Sequence, residues 1–153
     1  MSKSVADLAE ALRAAADGGS TPAVLADYYA ETVVVRHVPA LPNDGPVAGH
    51  LLAEMGRREV AASGRALSGS SERSTEVTVE GDAVRMRSRT KGALADGTAI
   101  EAETNTLFHV ADGCIDELVS EMDEASGDAW RQALVAGGIE VPEGFMERAG
   151  DGT

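Results

Sequence analysis

The residues best suited to chemistry are His37, at the end of the stretch YYAETVVVRHVP, and Asp44, in the proline-rich loop that follows. An imidazole takes up and releases protons near neutral pH, and a carboxylate can orient it, so the pair describes a base or proton shuttle with its partner. The condition is geometric. Strand alternation sends one of Arg36 and His37 inward and the other outward, and the uniformly apolar run Val33, Val34, Val35 leaves the choice open. If Val33 and Val35 face an interior, so does His37. The competing reading is a hydrogen-bonded histidine at an exposed strand end.

Other chemistry is sparse. Cys114 is the lone cysteine, so the chain has no internal disulfide and no thiolate cluster. His50 falls on the polar side of a helix and His109 on an outward strand position, which leaves no metal-ligand spacing, and neither metal nor other cofactor is expected. Glu121 is expected to face outward. Asp123 sits at a strand end, where capping the next turn is the stronger reading.

The elements that must position these residues follow from periodicity. Ser4 with Asp7 resembles a capping box opening a helix through Val5, Leu8 and Leu12, stopped by Gly18 and Gly19. Thr21 and Pro22 open a second helix with Val24, Leu25, Tyr28 and Tyr29 on its buried side, ending near Glu31. A short strand runs from Val33 to Val38, and Val47, Leu51 and Met55 mark a third helix whose other side, His50, Glu54, Arg57 and Arg58, is solvated. The run SGRALSGSSERS is read as a flexible connector. From Thr75 the period becomes two, and Gly81-Asp82, Asp96-Gly97 and Asp112-Gly113 divide four antiparallel strands. A last helix starts at Ser126, buries Trp130 and Leu134, and stops at Gly137 and Gly138. Residues 1–138 form one domain in this reading, and 139–153 a tail that docks in part and then frays.

Cross-strand neighbours share a face, so matching apolar with apolar and plus with minus sets the register. The first turn places Val79 opposite Val84, Val77 opposite Met86 and Thr75 opposite Ser88. At the second, a three-residue loop with Gly97 left-handed places Val84 opposite Phe108, Arg89 opposite Glu103 and Lys91 opposite Glu101. At the third, the same logic favours Thr106 opposite Leu118, Thr104 opposite Ser120 and Ala102 opposite Met122. One face then carries Met86, Thr106, Phe108, Leu118 and Met122 with a hydroxyl row of Thr75, Ser88, Thr104 and Ser120. The other alternates Arg85, Arg87, Arg89 and Lys91 with Glu101, Glu103, Glu117 and Glu121, around Leu107 and Val119.

The totals bound the function. A net charge of −13 repels phosphate backbones and anionic lipid, and the arginine stripe is neutralised by neighbouring glutamates, so neither nucleic acid nor membrane is an expected partner. No apolar run has the length of a membrane span or signal sequence, and a cytoplasmic protein is expected.

The motifs LADYYAETVVVRH, GPVAGHLLAEM and DGCIDELVSEMD, in this order and spacing, resemble the SnoaL-like branch of the nuclear-transport-factor-two-like superfamily over nearly the whole chain. The resemblance implies an α+β fold: a cone-shaped curved antiparallel sheet wrapped around N-terminal helices, with a C-terminal helix, as in the cystatin-like α+β roll. It also implies a conical cavity and a homodimer through the outer sheet face. Relatives include ketosteroid isomerases, polyketide cyclases and limonene epoxide hydrolases. This chain departs from them in carrying Ser120 where cyclases and epoxide hydrolases have an acid, and RMRSRTKG lacks the aspartate of the epoxide-hydrolase pair. A small, mostly apolar carbonyl- or hydroxyl-bearing ligand is expected against Tyr29, Met55, Met86, Ser88, Thr104, Thr106, Phe108, Leu118, Ser120 and Met122, with His37 and Asp44 as the acid–base candidates for isomerase, cyclase or hydratase chemistry. The alternative is a non-catalytic ligand carrier or homodimeric interaction module of the same fold.

Overall fold

The first helix begins as its sequence dictates: the Ser4 N–H donates to Asp7 Oδ2 at 2.9 Å and the Asp7 N–H donates to Ser4 Oγ at 3.1 Å, a reciprocal cap. In the computed structural model, which describes residues 4–16, 21–41, 44–67 and 71–139, this helix is α1 (Val5–Ala16). It is followed by α2 (Thr21–Tyr28), β1 (Tyr29–Val38), β2 (Gly45–Ala48) and α3 (Gly49–Ala66). Strands β3 (Glu72–Glu80), β4 (Ala83–Ala93), β5 (Ala99–Ala111) and β6 (Cys114–Glu121) then lead to α4 (Glu124–Ala136). The predicted glycine stop of α1 and all of the predicted tail except Ile139 lie outside the described residues.

The strands form one six-stranded sheet in the order β2-β1-β6-β5-β4-β3. All neighbours are antiparallel except β1 and β6, which run parallel, so the sheet is mixed and unclosed, and the fold is α+β. Helix α1 packs on β3 and β4, α3 packs on α2, α4 and β1, and α4 packs on β5. Leu8 and Leu12 of α1 are fully buried in a cluster with Val33, Val84, Phe108 and Ile115. A smaller cluster of Leu67, Ile100 and Ala133 ties the end of α3 to β5 and α4. Arginines fasten the periphery: Arg13 donates from Nε and Nη2 to the Val77 carbonyl on edge strand β3, and Arg65 donates from the same atoms to the Gly137 carbonyl.

The structure corrects several expectations. Helix α2 stops at Tyr28 and the strand starts at Tyr29, because β6 and β2 both pair with this segment and override its helical composition. Val47 lies in β2 opposite Val33, and the helix begins only at Gly49; Pro46 is tolerated because β2 is an edge strand. The connector is shorter than expected, since α3 continues to Ala66 and β3 starts at Glu72. The first two hairpin registers agree with the sequence reading, and Gly97 is left-handed with φ of 88°. The third differs by two residues: Ala111 pairs with Cys114 across a two-residue turn, and the strands shift between His109 and Val110. Thr106 therefore faces Ser120 and Phe108 faces Leu118. A bulge of this kind preserves the face while moving the row.

Two glycines of α3 give contrasting expectations. A Cβ at Gly49 would lie 2.1 Å from the Ala30 carbonyl oxygen, backbone that has no room to move, whereas a Cβ at Gly64 meets nothing within 4 Å. Gly49→Ala is expected to destabilise by about 2–3 kcal/mol through overpacking, and Gly64→Ala to stabilise by about 0.5–1 kcal/mol through helix propensity. Urea denaturation of both variants checks the pair.

Candidate functional site

The inner sheet face and helices α2, α3 and α4 enclose a cavity of about 350 Å³. Strand alternation builds its sheet wall. Pairing places His37 beside Ser120, Ser120 beside Thr106 and Thr106 beside Met86, giving one row across four strands. The adjacent row runs from Val35 through Leu118 to Phe108. These residues line the cavity, as do Tyr29, Thr104 and Met122. Leu52, Met55, Gly56, Glu59 and Val60 line it from α3, recurring at helical spacing, and Trp130 lines it from α4. The wall is predominantly apolar, with its hydroxyls next to the histidine.

The choice between Arg36 and His37 is settled by the pairing. Val33 and Val35 are buried, His37 shares their side, and Arg36 points outward to an exposed ion pair with Glu117 at 3.2 Å. The Asp44 side chain gathers three contacts: Oδ2 accepts from the backbone N–H groups of His37 at 2.8 Å and Leu41 at 3.2 Å, and Oδ1 meets His37 Nδ1 at 2.5 Å. Partial burial pushes the Asp44 carboxyl up, but the hydrogen bonds from the His37 ring and the two N–H groups outweigh it and hold the group below the usual carboxylate range. An ionised Asp44 accepts only, so Nδ1 carries a proton and donates it, and in the neutral tautomer Nε2 is then the acceptor nitrogen.

Glu59 went unnoticed in the sequence. It occupies a position on the apolar stripe of α3, in line with Met55 and Leu52, while Glu54, Arg57 and Arg58 are exposed as expected. Burial pushes its carboxyl up to about 7, with no opposing hydrogen bond or cation. Tyr29, nearby, has its phenol pushed up by burial and by the charge of Glu59, so it stays protonated. The signal that could have found Glu59 is a carboxylate at the i, i+4 and i+7 positions of an otherwise apolar helix face.

Of the predicted ligand contacts, Tyr29, Met55, Met86, Thr104, Thr106, Phe108, Leu118, Ser120 and Met122 are brought together in the cavity wall. Ser88 is not among them: it is buried and hydrogen-bonded to Thr75 at 3.2 Å, so that part of the hydroxyl row is internal structure. Ser120 belongs with Thr106 and His37 rather than with Thr104, the consequence of the bulge in the last hairpin. Asp44 stands behind His37 and outside the wall. Asp123 caps α4, accepting from the Ser126 N–H at 2.7 Å, and also borders the cavity. On the outer face Arg87 and Arg89 both pair with Glu103, and Arg85 with Glu80. Among the described residues no cluster of His, Cys, Asp or Glu has the makings of a metal site, and no helix is long and apolar enough to cross a membrane.

No family model matches the chain, and no curated protein matches its sequence. Solved structures do share its fold. A protein of unknown function with a cystatin-like fold from Xanthomonas campestris is 18% identical, covering 83% of this chain and 97% of that one, with a TM-score of 0.55. A candidate SnoaL-like polyketide cyclase from Jannaschia sp. CCS1 is 22% identical, covering 76% of this chain and 85% of that one, with a TM-score of 0.51. An LEH-like epoxide hydrolase of M. tuberculosis is 17% identical, covering 84% of this chain and 90% of that one, with a TM-score of 0.50. At these identities the likeness is one of fold: an α+β fold shared with solved structures described as cystatin-like, nuclear-transport-factor-two-like and SnoaL-like.

Glu59 makes stability depend on pH in a definite direction. Its folded pKa of about 7 lies above the ordinary 4.5, so the unfolded chain releases this proton first and stability falls as pH rises through that interval. Relative to Glu59→Gln, the wild-type protein is expected to lose about 2–3 kcal/mol between about pH 5 and about pH 8. Urea denaturation of both proteins at the two pH values checks the sign and the size.

Proposed function

We propose that this cone binds a small, mostly apolar, carbonyl- or hydroxyl-bearing molecule and performs acid–base chemistry on it of the isomerase or cyclase kind, with His37 as base. The observation that carries the reading is the His37–Asp44 pair: an imidazole lining a mostly apolar cavity with Nδ1 held by a carboxylate. Such an orienting carboxylate fixes the tautomer and stabilises the imidazolium formed when the ring takes a proton. Ser120 and Thr106, in the same row, supply neutral hydroxyls that can hold a ligand oxygen next to the base. The cavity volume suits a compact molecule, and methionines in its wall allow adjustment to shape. Solved structures of this fold include a candidate polyketide cyclase and an epoxide hydrolase, while the serine at position 120 and the histidine give this chain its own constellation.

The test uses α-deuterium exchange of small hydrophobic ketones, with 2-tetralone as the reference probe, followed by proton NMR in D₂O. The wild-type protein is expected to accelerate exchange. His37→Ala is expected to abolish the acceleration and Asp44→Asn to reduce it about 10²–10⁴-fold, with Ser120→Val weakening ketone binding. Saturable ketone binding without any acceleration would replace the enzymatic reading with a ligand carrier.

We further propose that the outer sheet face joins two copies of this chain. Leu107 and Val119 pair across β5 and β6 there as a half-buried apolar patch between ion pairs. Sedimentation velocity is expected to give a dimer that Leu107→Lys dissociates; a wild-type monomer at micromolar concentration would refute the assignment.

A further inference from the structure

Three of the acids placed so far have evident structural partners: Asp44 holds His37, Asp123 caps α4, and Glu103 binds two arginines. Glu59 has none. It sits in the middle of α3, on the stripe that lines the cavity, flanked there by Gly56 and Val60. The nearby helix cations are turned elsewhere: Arg57 and Arg58 are exposed, and Arg65 is committed to the Gly137 carbonyl at 2.9 and 2.7 Å. A carboxyl desolvated in a cavity wall with no cation in ion-pair contact is costly to keep ionised, and glutamine or leucine could supply its packing. Its position therefore calls for a use.

We infer that Glu59 is the second acid–base residue of the cavity, delivering a proton from the helix wall to the oxygen of a bound carbonyl compound while the His37–Asp44 pair removes a proton from the adjacent carbon. The inference rests on the acid–base reading of the cavity and extends it to a concerted pair. The α C–H bond breaks and its proton passes to His37 Nε2. The electrons left on carbon form the C=C bond, the carbonyl π pair moves to oxygen, and that oxygen takes the proton of the Glu59 carboxyl. The resulting enol is neutral, with Glu59 a carboxylate and His37 an imidazolium. Return of the oxygen's proton to Glu59 and of the carbon's proton from His37, to the same or a conjugated carbon, regenerates both groups with no other reactant. Tyr29, in the same wall, stays protonated beside the Glu59 charge. The substrate class follows: a carbonyl compound with an acidic α-hydrogen, small enough for the cone.

The chemistry needs Glu59 protonated and His37 neutral at the start. The charged and titratable groups that line the cavity together with Glu59 are Tyr29 and His37 from β1, Arg73 from β3 and Asp123 at the start of α4; α2 and β2 contribute Thr21, Pro22, Leu25 and Val47 to the lining. Burial pushes the Glu59 carboxyl up to about 7, so the protonated form is abundant at neutral pH and disappears above it.

The experiment measures 2-tetralone exchange by the full chain from about pH 5 to about pH 9 for wild type, Glu59→Gln, Glu59→Asp and His37→Ala, together with an infrared titration of carboxyl-labelled glutamate. Glu59→Gln keeps a hydrogen-bond donor but has no proton to release; it is expected to slow exchange about 10²–10⁴-fold and to lose the decline on the alkaline side, with Glu59→Asp restoring part of the rate. The infrared difference between wild type and Glu59→Gln is expected to show a protonated carboxyl vanishing near pH 7. If Glu59→Gln keeps the wild-type rate and alkaline limb while His37→Ala is inactive, the role of Glu59 is overturned and the acid–base cavity stands. A Glu59 band that titrates in the ordinary range, about pH 4–5, overturns it as well. A wild-type protein that accelerates no ketone of the panel overturns both readings together.

Discussion

Parallel pairing of β1 with β6 is the constraint from which the site's geometry follows, because it makes the N-terminal valine strand a wall of the cone instead of a peripheral ribbon. With Val35 beside Leu118 and His37 beside Ser120, every second residue of β1 is committed to the interior. Slipping this pair by one residue would bury Arg36 and expose His37, leaving an arginine in an apolar cluster without its Glu117 partner. The hydrophobic burial of Val33 and Val35 thus enforces the orientation of the histidine that follows them. Strand β2 on the other side of β1 completes the pairing, and the loop between them brings Asp44 back to the His37 ring.

The fold was legible where a pattern had a local physical cause. The capping box of α1, the first two turn signals and the charge ladder of β4 against β5 all gave the observed arrangement, since each depends on neighbours in sequence or on a single hairpin. Register was lost where a bulge intervened: the extra residue near Asp116 leaves no mark in the alternation of Ile115, Leu118 and Ser120 that separates it from a shifted turn. The true start of β1 was hidden because Tyr29 and Ala30 suit a helix equally well, and only partners distant in the chain make them a strand.

The candidate cavity was legible in its sheet wall and, apart from Met55, not in its helix wall. Strand residues announce their face by alternation, so Thr104, Thr106, Phe108 and Leu118 could be gathered from sequence. Ser88 obeyed the same alternation but lies buried against Thr75, a distinction that depends on how far the helices reach over the sheet. Glu59 shows the opposite limit. Three of its helix neighbours, Glu54, Arg57 and Arg58, are solvated, and in a helix so rich in charge one more carboxylate reads as surface unless its angular position is followed residue by residue.

Two carboxyls of this chain are driven in opposite directions, according to whether hydrogen bonds oppose desolvation. Asp44 is partly buried, yet three hydrogen-bond donors converge on it, and their preference for the charged form exceeds the cost of desolvation. Glu59 meets desolvation alone, and the neutral form prevails. The linkage signs are therefore opposite. The contribution of Asp44 is present above its unfolded pKa and is lost as pH falls through the lowered folded value, whereas the contribution of Glu59 is fully present below 4.5 and is lost as pH rises through about 7. Between these limits the chain holds one acid ionised behind the histidine and the other protonated in the cavity wall. Within that interval each carboxyl holds the form that its surroundings favour, so stability and protonation state agree.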